Sequence, residues 1–236
     1  MDDSRRRACA HDAGRRRADE PFPDLTGVRV VHRALRDDLR RLALLARELD
    51  ESPTTVDKDQ AMAVRDYVKL LSEELARHHD WEAEVLWPLV GELAGEAIDL
   101  RSHFAEHAIV VPLLEDLRAV ANDFAATPTA GVTAFAAVLR VLSRKIEDHL
   151  RYQERDVLPL VAEYVGAGCY ACAKRRMPRT GWLKRVTWAL PWRARFATPE
   201  ERRHLQRHAG LVTRLPAAVL GRSYATLERR AFAPVD

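Results

Sequence analysis

The sequence predicts an all-α protein, an antiparallel up-down-up-down four-helix bundle with an additional helical C-terminal extension. Three observations carry that expectation. Apolar residues recur at steps of three and four along four long segments between residues 23 and 166. The breaks between those segments are short and marked by Pro or Gly, and short connections make successive long helices antiparallel neighbours. Finally, 47% of the 236 residues are hydrophobic and only 10 are Gly, which excludes collagen-like and wholly disordered chains.

The first helix is expected at about 28–50, opened by Pro23 with Asp24 or Thr26, with Val28, Val31, Leu35, Leu39, Leu42, Leu45 and Leu49 on one face. A second starts after an N-cap at Thr54 or Thr55 and runs through Val64, Val68, Leu71, Leu75, Val85 and Leu89 to the Gly91–Gly95 region. A third covers about 96–126 and stops at Thr-Pro-Thr-Ala-Gly. The fourth, about 130–165, carries Phe135, Val138, Leu142, Ile146, Val157 and Leu160 and ends at Gly166. Pro88, Pro112 and Pro159 fall inside these segments, and each is expected to kink or split its helix.

A net charge of +3 conceals a division. Residues 21–166 hold 17 basic and 26 acidic side chains, net −9, whereas 167–236 hold 15 basic and 4 acidic, net +11. The expected organisation is a disordered N-terminal tail at 1–22, the bundle at 23–166 and a basic helical extension at 167–236. Cys9, Cys169 and Cys172 have no disulfide-framework spacing, which suits a reducing compartment, so a cytoplasmic location is expected. No apolar run approaches the roughly 20 residues of a membrane span. Arginine pairs near the start lack the apolar stretch of an export signal.

Nine histidines are the unusual feature of the composition. His32, His78 and His149 continue the apolar faces of their segments, and His103 and His107 are four apart, one above the other on a helix. Buried imidazoles need hydrogen bonds, charge partners or metal, and five facing one core favour metal. Two segments, HHDWEAEVLWPLV and HLRYQERDVLPLV, repeat one pattern: a histidine, a carboxylate four or five residues later (Glu82, Glu154), and a proline ten residues on. Measured from the common end of the bundle, the five histidines and Glu154 fall within roughly 9 Å of height at about 1.5 Å per residue, with Glu82 slightly deeper. That set exceeds the needs of one ion. Two roughly octahedral ions, sharing two carboxylates and one bridging oxygen, would be left with about one open position.

His32, then His78-x-x-x-Glu82, then His103-x-x-x-His107, then His149-x-x-x-x-Glu154 resembles the hemerythrin family, the HHE cation-binding domain, over about residues 25–166. The resemblance implies a non-haem di-iron centre, two iron ions bridged by oxo or hydroxo oxygen. His103, His107 and His149 would hold one iron, His32 and His78 the other, and Glu82 and Glu154 would bridge. It further implies binding of dioxygen, peroxide or nitric oxide at the open position, for oxygen or redox sensing, storage or detoxification. An enzyme with catalase- or peroxidase-like or nitric oxide-handling activity, and a regulatory interaction module whose metal sets the fold, are the alternatives. Glu154 stands where many members have Asp. Its five-residue step from His149 rotates it about 140° on a straight helix, so convergence needs reach or a π-bulge; Gln153 has the better angle but is a poor anionic bridge. His79 is expected to be solvated or beside the ligands. A ferritin-like site would need Glu-x-x-His on two bundle helices, and the match Glu201 to His204 lies in the extension.

The extension places Trp182, Trp188 and Trp192 among Lys184, Arg185, Arg193 and Arg195. Its amphipathic helices, one opened by Thr198-Pro199 and one at about 216–231, are expected to pack their aromatics on the acidic bundle. An anionic membrane surface or acidic partner engaging residues 182–230 is a second reading; nucleic-acid binding is disfavoured because no recognised motif accompanies the charge. His204 and His208 are read as surface residues. Cys169-x-x-Cys172 has redox-motif spacing without the strand that a thioredoxin-like site requires.

Overall fold

The Asp24 carboxylate accepts the Thr26 N–H at 3.1 Å and so starts α1 (Thr26–Glu51), whose expected apolar stripe from Val28 to Leu49 is buried throughout. The structure, a computed structural model, describes residues 15–51, 56–98, 100–177, 185–208 and 217–234, and within these the side chains at 100–107, 185–186, 208 and 217–220 are outside the description. The expected cap at Thr54 or Thr55 lies outside the described residues. The cap within them is Asp57, whose side chain accepts the Gln60 N–H at 3.0 Å to open α2 (Lys58–Trp81).

A π-helical turn (Glu82–Leu86) follows α2, then α3 (Trp87–Ala94) and a 3-10 turn (Gly95–Ala97). Next come α4 (Leu100–Ala126) and α5 (Pro128–Tyr152), then a second π turn (Gln153–Val157) and α6 (Leu158–Tyr164). The chain continues through α7 (Ala167–Arg175), a third π turn (Arg185–Ala189), α8 (Leu190–Phe196), α9 (Pro199–His208) and α10 (Ala217–Ala231). α1 packs along α5, α5 along α4 and α4 along α2, which makes the antiparallel four-helix bundle with extension that the sequence predicts.

The internal repeat has a structural counterpart. In both copies the π turn starts four residues after the histidine and ends just before a helix with proline at its second position: Trp87 N–H reaches back to Glu82 O, and Leu158 N–H to Gln153 O. The extra residue in a π turn relieves the clash that a proline ring makes with the carbonyl four residues before it. Pro88 and Pro159 thus interrupt their helices as expected, whereas Pro112 sits inside the unbroken α4.

At the α4–α5 turn, Phe124 and Phe135 stack with centroids 4.9 Å apart. A Cβ on Gly131 would lie 2.7 Å from Phe124 Cα and 2.8 Å from its backbone nitrogen. Backbone cannot step aside as a side chain can, so Gly131→Ala is expected to destabilise the bundle by about 1–3 kcal/mol despite alanine's helix propensity. Thermal denaturation checks this; an unchanged midpoint would mean that α5 shifts freely on α4.

The basic extension occupies the α1–α2 side of the bundle: α8 and α9 lie on α1, and α10 on α2. Trp188 and Trp192 are buried in the main core and stack with centroids 5.2 Å apart. Trp182 lies outside the described residues. Ion pairs fasten the rim. The Arg33 guanidinium donates to both Glu201 oxygens at 2.9 and 3.0 Å and to Phe196 O at 2.7 Å, Arg41 pairs with Glu228 at 2.6 Å, and Arg193 reaches Glu74 at 3.0 Å. Thr198 and Glu201 form the reciprocal capping box that starts α9. Residues 15–22, expected within a disordered tail, lie against the far end of the bundle, where Arg16 N–H donates to Tyr164 O at 2.9 Å and Arg15 bridges Val165.

Burial pushes the Glu74 carboxyl up, but Arg193 and Arg77 outweigh it and hold the group below the ordinary 4.5. The unfolded chain therefore binds this proton at a higher pH than the folded one. The stability that Glu74 contributes is complete above pH 4.5 and fades as pH falls below it. Chemical denaturation of the native chain and Glu74→Gln at a series of pH values should show a gap that narrows below 4.5; a constant gap would contradict the assignment.

Candidate metal centre

A polar layer separates two apolar clusters of the core. On one side stand Leu35, Leu75, Ile146 and Leu150; on the other Val28, Trp81, Val85 and Val157. Between them His32 from α1, His78, His79 and Glu82 from α2 and its π turn, and His149 and Gln153 from α5 and its π turn are all buried. Polar groups at that depth cost free energy unless each finds a partner.

Two sets of ligand atoms converge. The first is His32, His78 and Glu82: His32 Nε2 lies 3.1 Å from His78 Nε2, His78 Nε2 lies 3.2 Å from Glu82 Oε1, and His32 Nε2 lies 4.0 Å from that oxygen. A cation with bonds of about 2.0–2.2 Å separates neighbouring ligand atoms by about 3 Å and opposed ones by about 4 Å, so these distances fit. The second set is His79, Glu82 and His149, with ligand atoms within 4.8 Å of one another. Glu82 belongs to both. Its Oε1 faces the first set, and its Oε2 accepts the Gln153 Nε2–H at 2.9 Å, with His149 Nε2 also 2.9 Å from that amide. Burial pushes the His78 imidazolium down to about 3, leaving the neutral ring whose lone pair a metal needs.

The structure thus brings together His32, His78, Glu82 and His149 of the sequence-expected ligands. His103 and His107 fall on α4, but their side chains lie outside the described residues. Glu154 belongs to neither convergent set. It is about one-third exposed, with its carboxylate 3.2–3.3 Å from the Arg36 guanidinium and 3.3 Å from His32 Nδ1. The reason is helical phase. Residues 149–152 are ordinary α-helix and the π turn begins only at Gln153, too late to rotate Glu154 inward.

Sequence reasoning missed two members of the layer. His79, expected at the margin, is buried with its ring 5.2 Å from that of His149. Its spacing of three from Glu82, a same-face step, was the available signal. Gln153, credited with the better angle but set aside as a poor anionic bridge, is the other, and the repeat was a further signal: aligned by histidine and proline, it takes the place of Glu82. Of the set-aside histidines, His204 Nε2 lies 3.1 Å from Asp24 Oδ2, while His11 and the side chain of His208 are outside the described residues. Cys169 and Cys172 sit on helix α7.

An all-α bundle crossed by a buried His/Glu layer with two convergent ligand sets is a helical-bundle metal-binding protein. The family model described as Hemerythrin HHE cation binding domain matches residues 25–161, more than half of the chain, and the chain belongs to the hemerythrin family. No curated protein and no solved structure matches it significantly. Among the described residues, no helix is long and apolar enough to cross a membrane.

Proposed function

We propose that the layer holds two iron ions and that the protein binds dioxygen, or peroxide or nitric oxide, at a position the chain leaves open. The observation that carries this reading is Glu82, one fully buried carboxylate shared by two ligand sets. In this reading His32 and His78 would hold one ion, His149 the other with His79 beside it, and Glu82, which belongs to both sets, would serve both. The family resemblance adds His103 and His107 from α4. Imidazole with carboxylate and no thiolate suits iron better than structural zinc. When bound, the ions supply the redox equivalents and the open position.

The chain supplies the rest. The neutral His78 presents a lone pair rather than a charge, and Gln153 orients the Glu82 carboxylate through its amide. The two apolar clusters on either side exclude water from the layer. Metal analysis and optical spectra before and after reduction and oxygen exposure test the proposal. Two irons per chain with a reversible oxygen-dependent band are expected. Steady peroxide loss with no stable band would replace the binding role by the enzymatic one, and a single zinc or no metal in iron-rich preparations would overturn both.

A further inference from the structure

The junction of the extension with the α1–α2 side of the bundle is built around a fully buried carboxylate. Asp38 of α1 accepts the Tyr67 hydroxyl at 2.5 Å and the Trp192 indole N–H at 2.6 Å, both at Oδ2, whereas Oδ1 has no hydrogen-bond partner and lies 3.6 Å from the Arg195 guanidinium. An apolar side chain would fill this space without the cost of burying a charge.

Four oxidisable rings meet here. Tyr67 of α2 lies 5.9 Å from Trp188 of the third π turn and 6.4 Å from Tyr224 of α10, centroid to centroid, and Trp188 lies 6.2 Å from Tyr224 and 5.2 Å from Trp192 of α8. Tyr67 is fully buried, while Arg222, Ser223 and Ala225 beside Tyr224 are exposed, so the cluster runs from the core toward the surface. At its inner end, Asp38 follows His32 by six residues, about 9 Å along α1 from the metal layer.

A phenol that gives up an electron becomes a strong acid, and in a dry core it reacts only where a base takes the proton at the same moment. Asp38 is placed as that base: the 2.5 Å contact is in the range of an O–H···O⁻ bond, about 2.5–2.7 Å. Burial, and next the Asp38 charge, hold the Tyr67 hydroxyl well above its ordinary pKa of 10.0, so its proton does not leave alone. Burial also raises the Asp38 carboxyl, which makes it the stronger base.

We propose, building on the iron reading of the layer, that Tyr67 is a redox-active tyrosine with Asp38 as its proton acceptor. One electron passes from the Tyr67 ring to the peroxide-oxidised layer while the hydroxyl proton moves to Asp38 Oδ2, leaving a neutral tyrosyl radical and a protonated carboxyl. One electron from a small reductant, a thiol or ascorbate, then enters through Tyr224 and Trp188, and Asp38 returns the proton. The pair thereby carries a damaging oxidising equivalent away from the ligand histidines.

The test is electron paramagnetic resonance of the iron-loaded full-length chain, frozen at intervals after peroxide is added, with ring-deuterated tyrosine to identify the radical. The native chain is expected to give an organic-radical signal that deuteration narrows, and Tyr67→Phe to lose it at unchanged iron content. Asp38→Asn still accepts both hydrogen bonds but cannot take a proton, so most of the signal should disappear while the helices persist by circular dichroism. Radical formation in the native chain should also slow in heavy water, which a packing role would not cause. Trp188→Phe combined with Tyr224→Phe should form the radical but lengthen its lifetime in ascorbate severalfold. No tyrosyl signal in the native chain, a signal that survives in Tyr67→Phe, full yield in Asp38→Asn, equal rates in heavy water or an unchanged lifetime in the double variant would each overturn the proposal. A chain that takes up no iron would overturn the proposed function instead. The single variants are then compared in the metal-free full-length chain oxidised by a flash-generated ruthenium(III) polypyridyl complex, where the same losses are expected and signals equal to the native one would refute the Tyr67–Asp38 pair.

Discussion

Glu82→Ala is expected to abolish metal binding at both proposed positions at once, lowering the metal content from the two equivalents proposed for the native chain to none. The carboxylate is fully buried and belongs to both convergent sets, so its removal strips each set of its anion and leaves imidazoles alone to neutralise two divalent cations. No other described side chain belongs to both sets: His32→Ala breaks only the first and His79→Ala only the second. Metal content after reconstitution, with circular dichroism to confirm that the helices persist, separates the cases. One equivalent retained by Glu82→Ala would confine Glu82 to a single ion and remove the basis for a coupled pair.

Trp192→Ala is expected to be the most destabilising substitution outside the metal layer. The indole is fully buried at the junction of α8 with the bundle, stacked on Trp188, and its Nε1–H donates to Asp38 Oδ2 at 2.6 Å. Asp38 also accepts the Tyr67 hydroxyl at 2.5 Å and lies 3.6 Å from Arg195, so one buried carboxylate ties α1, α2 and the extension together. Burial raises the Asp38 carboxyl above its ordinary value, and the Tyr67 and Trp192 donors oppose that rise. Loss of the indole forfeits about 3–5 kcal/mol of packing, which corresponds to a fall in Tm of roughly 10 °C for a chain of this size. Asp38→Ala should also destabilise, since it strands two buried donors at about 1–3 kcal/mol each. A Tm change under about 3 °C in Trp192→Ala would mean that the extension contributes little to the folded core.

The helices were legible because each follows from local periodicity. Leu35, Leu39, Leu42 and Leu49 mark the buried face of α1 at helical spacing, and all are buried. His32, His78 and His149 were legible for the same reason: they extend those stripes into the layer. Four-residue spacing likewise placed Glu82 beside His78. The extension's docking was legible only in outline. Its charge complements the bundle, but nothing local in Trp188 or Trp192 says that they fill the α1–α2 side, because that depends on side chains more than a hundred residues earlier.

By itself, the sequence determined the helical class, the four bundle segments and the level at which histidines meet, since periodicity and residue count fix rotation and height along a helix. Only the tertiary structure decided which of two neighbouring side chains enters the layer. Adjacent residues differ by about 100° around the axis, and a buried arc can be wide enough to admit both or narrow enough to admit one. α2 is packed on several sides, so His78 and His79 both turn inward. After α5 the second π turn begins at Gln153, so the amide goes in and Glu154 goes to Arg36.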